Sequence, residues 1–138
     1  MIDKDNAILV WKYLRPLLEN NEELSQYLDT ENNIYQVYAG EDPKTPFIIL
    51  RRDTVLPQYT KYNPGSCGWT NQVQLSISIY TDNYNEGAYI SNIIRDILEG
   101  YHIENQYIKI HPIALTSASE TFTGSAYEQR LTFTTNVE

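Results

Sequence analysis

The stretch from Thr70 to Gly100 most constrains what this chain can fold into. In its first half Val73, Leu75, Ile77 and Ile79 alternate with Gln72, Gln74, Ser76 and Ser78. A period of two describes a strand with one apolar face, and it leaves the Gln/Ser face to water or to a partner. Beyond Asp82 the period changes. Ile90, Ile93, Ile94, Ile97 and Leu98 follow the spacing of an amphipathic helix, with Ser91, Asn92, Arg95, Asp96 and Glu99 on the opposite side. Asn83 or Asn85 is placed to cap the start, and Gly100 stands where a left-handed residue ends a helix. A one-sided strand followed by a one-sided helix implies a sheet with helix packed on one face. The expected fold class is therefore α+β, a mainly antiparallel four- to five-stranded sheet with helices packed on one face.

The flanking segments extend this plan. A helix is expected from Asp3 or Asp5 to about Leu18, kinked or ended near Arg15 by Pro16. Asn21-Glu22-Glu23-Leu24 reads as a cap with an acidic first turn, opening a short helix through Leu28. Ile34–Tyr38 and Phe47–Arg52 read as strands. From Asp53 to Trp69 there is little periodicity, with Pro57, Pro64, Gly65 and Gly68 and the aromatic residues Tyr59, Tyr62 and Trp69. A structureless loop of this length is uncommon in a compact domain. It is either functional or an arm that gains order against a neighbour, and a disordered excursion is the plainer account. After the helix, Tyr107–Ile110 and Ile113–Leu115 form one broken strand or two short ones around Pro112. Ser117–Gly124 reads as a polar turn, and Tyr127–Thr135 as the last strand. With 138 residues the chain is expected to be a single α+β domain over 1–138. Its N-terminal helices span 5–28, the sheet and central helix 33–136, and a flexible loop 54–69.

Composition narrows the function. The formal charge is −8 and the only adjacent basic pair is Arg51-Arg52, so direct binding of nucleic acid is not expected. The single cysteine, Cys67, cannot form an internal disulfide, which suits a reducing compartment. No apolar run is long enough to span a bilayer, and Ala7–Trp11 is too short for a signal-peptide core. Twelve tyrosines suit protein–protein contacts, although strands favour tyrosine in any case.

Catalytic chemistry is hard to find. Cys67 in Pro-Gly-Ser-Cys-Gly-Trp invites a nucleophile reading, but His102 and His111 are the only histidines, and a loop cysteine is the plainer account. One cysteine and two separated histidines make a poor zinc set. There is no glycine-rich phosphate loop, and the acidic clusters lack calcium-loop spacing. No catalytic, metal or cofactor residues are assigned, and no cofactor is expected.

The order of these elements carries a resemblance. An N-terminal helix and two strands precede a long loop. An alternating strand then ends in Tyr80-Thr81-Asp82 and runs into Ala88-x-Ile90-x-x-Ile93-Ile94-x-x-Ile97-Leu98-x-Gly100. A late strand reads Tyr127-Glu128-Gln129-Arg130-Leu131-Thr132-Phe133. Over roughly Ile34 to Phe133 this resembles the tail terminator, or tail-completion, proteins of long-tailed bacteriophages and prophages. The resemblance implies a non-enzymatic structural subunit that forms a ring, usually six-fold, on the head-proximal end of the tail tube. Its implied partners are further copies of itself, the tail tube protein and the head-completion or connector protein. DNA would pass through without specific binding, helped by a negative lumen, and no membrane is involved. The implied location is the bacterial cytoplasm during assembly and then the virion tail. Expected interface residues are Tyr59, Tyr62, Trp69, Gln72, Gln74, Ser76, Ser78 and Arg130. Another head–tail connector or tail tube subunit shares most of these expectations. A small ligand-binding or enzymatic α+β domain, with a pocket between the Ile90–Leu98 helix and the sheet, is the alternative of a different class.

Overall fold

The computed structural model of the chain describes residues 4–59 and 69–138. A 3-10 turn, Lys4–Ala7, leads to helix α1, Val10–Glu19, and a single-turn helix α2, Glu22–Ser25. Pro16 does not end α1, which was one of the two outcomes expected of it. The ring removes one internal donor, but the helix runs on to Glu19, and Asn20 N–H closes the end on Pro16 O at 3.0 Å. The interruption falls earlier, between the 3-10 turn and Val10. Asn21 caps α2 as its sequence suggests, with Oδ1 accepting from Leu24 N–H at 2.8 Å.

The strands are β1 (Ile34–Gln36), β2 (Phe47–Tyr59), β3 (Trp69–Thr81), β4 (Ile103–Glu104), β5 (Lys109–Ile110), β6 (Ala114–Phe122) and β7 (Tyr127–Val137). Helix α3, Tyr84–Leu98, joins β3 to β4. All seven strands enter one sheet, in the order β1-β2-β3-β7-β5-β4, with β6 paired to β7 beyond the reach of β5. The α+β class holds, but the sheet is larger than expected and mixed: β1 lies parallel to β2, and every other pairing is antiparallel.

Two segments read as loops are strands. Thr54–Tyr59 continues β2 and pairs with Trp69–Gln74 of β3. Only 60–68 of the expected loop 54–69 lies between the strands, outside the described residues together with Tyr62. Ser117–Phe122, read as a polar turn, belongs to β6. Both segments lie at sheet edges and are mostly exposed, with only Val55 packing partly against the core, so alternation of apolar residues had little reason to appear in them.

One face of the sheet carries Ile48 and Leu50 of β2, Val73, Leu75, Ile77 and Ile79 of β3, and Leu131, Phe133 and Val137 of β7. Against it lie Ile90, Ile94 and Leu98 of α3, and Val10, Leu14 and Leu18 of α1, all completely buried. Two arginines tie the N-terminal segment down: Arg15 Nη2 donates to Ile34 O at 2.8 Å and Arg52 Nη1 to Ile8 O at 2.6 Å. Helix α3 starts on Asn83, whose Oδ1 accepts from Glu86 N–H at 3.2 Å, and Gly100 follows its end at φ +81.

At Gly87 α3 packs closely against the end of β3. A Cβ there would stand 2.7 Å from Thr81 Oγ1, which is buried and already donates to Asn83 O. Gly87→Ala should therefore destabilise the fold. The overpacking cost of about 1–3 kcal/mol exceeds the gain of about 1 kcal/mol in helix propensity. A thermal melt of the variant checks the sign.

Candidate interaction surface

The sheet face opposite the helices is polar. Its rows follow from the strand register. Phe47, Tyr80 and Glu128 lie side by side across β2, β3 and β7, then Ile49, Ser78 and Arg130, then Arg51, Ser76 and Thr132, then Thr54, Gln74 and Thr134. β6 extends these rows with Thr121, Ser119 and Ser117. Five of the residues expected at an interface, Gln72, Gln74, Ser76, Ser78 and Arg130, thus share this face. Tyr59 and Trp69 form the last described cross-strand pair of the β2–β3 hairpin.

The strand face was expected to be uniformly available to solvent or to a neighbour, and it is not. Gln74 is exposed and Gln72 half-buried, but Ser76 is 0% and Ser78 1% exposed. The cause is size. Each short hydroxymethyl group sits between longer side chains on the adjoining strands, Ile49 and Arg130 beside Ser78, Arg51 and Thr132 beside Ser76. Ser76 Oγ donates to Asp53 Oδ1 at 3.1 Å. Ser78 Oγ has no hydrogen bond of ordinary geometry among the described residues, although the Tyr80 hydroxyl is close enough to feel it. The two serines should respond differently to truncation. Ser76→Ala removes one hydrogen bond to a carboxylate that water can still reach and should cost about 0.5–1 kcal/mol, whereas Ser78→Ala removes an unsatisfied hydroxyl and should be neutral or slightly stabilising. Denaturant midpoints of the two variants make the comparison.

Charge on this face is mixed. Arg51 and Arg130 take part in no ion pair among the described residues. Burial, and then the neighbouring Glu128 carboxylate, push the Tyr80 hydroxyl above its ordinary value against the opposing pull of Arg51. Phe47 stacks on Tyr80 with ring centroids 4.8 Å apart, and Tyr35 meets Phe47 edge-on at 6.1 Å. The residues that sequence reasoning missed here are Arg51, Asp53, Thr132 and Thr134. The signal was available for Arg51, since the alternation Phe47-x-Ile49-x-Arg51 continues the face that Ser78 and Ser76 occupy in β3. Asp53 sits at a register shift between Arg52 and Thr54, which no periodicity announces.

Two further features bear on function. A cleft of about 650 Å³ is lined by Asp42, Lys44, Phe47, Tyr80, Asp82 and Ser125, at the end of the sheet where the 40–46 loop meets the β6–β7 turn. The ligand-binding alternative had placed a pocket beneath the central helix instead, where Ile90, Ile94 and Leu98 are closed onto the sheet. At the same end Tyr84 meets Tyr127 at 5.8 Å and Phe122 meets Tyr127 at 5.0 Å, with the Tyr84 hydroxyl donating to Glu120 Oε2 at 2.7 Å. No group of three or more His, Cys, Asp or Glu side chains that could hold a metal occurs among the described residues. No helix among them is long and apolar enough to cross a membrane.

No family model and no curated protein matches the chain. Solved structures do. One is a chain in the virion of a native gene transfer agent particle, which superposes with a TM-score of 0.73 at 17% identity over 91% of both chains. A second, of a protein that carries no functional name, matches with a TM-score of 0.62 at 8% identity over 98% of this chain and 96% of its own. At such identities the likeness establishes a shared fold over nearly the whole length of the chain.

Proposed function

We propose that this chain is a structural subunit of a phage-like particle, and that it acts as a tail terminator: copies form a ring on the head-proximal end of the tail tube and join it to the head. The observation that carries the reading is the likeness over 91% of both chains to a component of a gene transfer agent virion. The sequence resemblance to tail terminators, which rests on the β3–α3 unit and the late strand, points the same way independently of it. The surface is in keeping with assembly. Exposed tyrosines, a broad Ser/Thr/Gln face and a long free strand edge are features that contacts between subunits use. No enzymatic role enters this account.

On this reading the negative lumen implied by the family resemblance needs a source other than the polar sheet face. That face holds Arg51 and Arg130 against Glu128 and Asp53, so it is close to neutral. The chain's excess acid lies elsewhere, as at Glu22, Glu23, Glu41 and Asp42.

The test is to delete the chain from the particle-producing strain and image what is released. Heads and tails that no longer join, restored by the parent gene, are the expected result. Intact particles in normal number would overturn the reading. Heads released with no tube made at all would reassign the chain to the tube itself.

A further inference from the structure

We infer that the outer edge of β6 takes up a strand from a second copy of this chain, the stretch of that copy's β2 that runs on beyond β1. The inference rests on the ring reading and names the contact that would close the ring.

β6 is bonded to β7 on one side, and eight of its nine residues are exposed. A free edge of this kind is a template for another strand, and folded chains usually guard it. The other short strands here are guarded by their length. β4 and β5 have two residues each, and β1 has three before the chain turns away at Val37, φ +70. β6 has no such guard. It is nine residues long, contains no proline and holds one charge, Glu120.

The free donors on this edge can be assigned. Thr123 N–H donates to Ala126 O at 3.0 Å, which makes the pair at the mouth of the β6–β7 turn a hydrogen-bonded one. Bonded and non-bonded pairs alternate along an antiparallel ladder. The N–H groups of Phe122, Glu120 and Ala118 therefore point away from β7.

The opposite side of the sheet offers a complementary edge. β1 covers β2 through Leu50, yet β2 continues to Tyr59. Pro57 has no N–H to give β3, so in the alternation it and Val55 occupy outward-facing positions. The strands β2, β3, β7 and β6 run alternately up and down. A second copy in the same orientation thus brings its β2 antiparallel to β6 and keeps all helices on one face. Such a head-to-tail contact repeats from copy to copy and gives a ring when its rotation closes.

The register fits as well. Ala118 lies opposite Leu131, then Ile77, then Leu50. Ala118 and Val55 both lie on the helix side of their strands and both turn their N–H outward, so they form the matching pair. Pro57 then meets Thr116, where the β6 ladder is already irregular. From Leu50 to Val55 is a slip of four ladder positions, since Asp53 is bulged out, or about 13 Å along the strand against about 19 Å across four strands. That corresponds to a tilt of about 35°, at the lower end of the range of about 35–45° used by closed sheets.

Ala118→Pro tests this directly, because it removes an outward N–H and no bond to β7. The variant should keep its circular dichroism spectrum and melting temperature, and it should need at least tenfold more protein than the parent to assemble in sedimentation runs. Ser119→Pro, whose N–H faces β7, should instead lower the melting temperature. Amide exchange on the parent gives a second reading without mutation: Ala118 and Glu120 should exchange fast in dilute monomer and slowly in the assembled species. Normal assembly of Ala118→Pro, or fast exchange of both amides within rings, overturns the inference and leaves the ring reading intact. A species that stops at two chains would mean that β6 pairs with its own copy, and would overturn the β2 assignment. A parent that stays monomeric at every concentration overturns the ring reading and this inference with it.

Discussion

Phe133→Ala is expected to lower the stability of the folded chain by about 3–5 kcal/mol, the loss typical of deleting a buried aromatic ring. Phe133 is completely buried and stands on β7 between Leu75 of β3 and Leu115 of β6. It is held on both sides by strand pairing and from above by the helix layer. Backbone hydrogen bonds fix the distance between strands, so neighbours cannot move in to fill the space, and most of the cavity should persist. A domain of this size has about 5–15 kcal/mol of stability in total, so the variant should unfold at a markedly lower denaturant concentration. A midpoint shift corresponding to less than about 1 kcal/mol would mean that β7 is less central than described. Phe133→Leu, which leaves a smaller void, should recover part of the loss.

Ile94→Asp is expected to be at least as damaging, and through a different mechanism. Ile94 is wholly buried in the layer between α3 and the sheet, inside the apolar cluster that also holds Ile90, Ile77 and Phe133. A carboxylate there has no cation to meet and no water to leave it in, and a penalty above about 4 kcal/mol is expected. The pH dependence identifies the cause. Burial raises the pKa of the new carboxyl in the folded state above its unfolded value of about 3.9. The charge penalty is then fully present above the folded pKa and fades as pH falls towards the unfolded one. Ile94→Asp should therefore gain stability relative to Ile94→Asn on acidification from neutral pH towards pH 4. Parallel behaviour of the two variants over that window would show that lost volume, not charge, governs the site.

The parts of this molecule that carry a core could be read from the chain. β3 and α3 declare themselves by period, Asn21 and Asn83 cap helices where their positions suggest, and Gly100 ends α3. In β7 Leu131, Phe133 and Thr135 are buried on one side as their alternation requires. What escaped notice lies at the edges. β6 contains Ser-Ala-Ser-Glu-Thr and buries almost nothing, so it has no apolar period to detect. The outer half of β2 is concealed in the same way by Pro57 and by the register shift at Asp53. Edge segments are specified by the strand beside them rather than by their own composition.

The candidate surface divides along the same line. Alternation alone placed Gln72, Gln74, Ser76 and Ser78 on one face, and the late strand added Arg130. It could not show that Ser76 and Ser78 are enclosed, because that depends on Ile49, Arg51 and Thr132, which come from elsewhere in the chain. Nor could it reveal the cleft at Asp42, Lys44 and Asp82, which exists only once the 40–46 loop has come to rest beside the β6–β7 turn.

The most direct measurement is the solution mass of the purified chain by light scattering across a wide range of concentrations, with electron microscope images of the largest species. The account predicts closed rings of like subunits with a central hole, at a mass that is a fixed multiple of 16.0 kDa. A strict monomer at every concentration, or open aggregates of no defined mass, would contradict it.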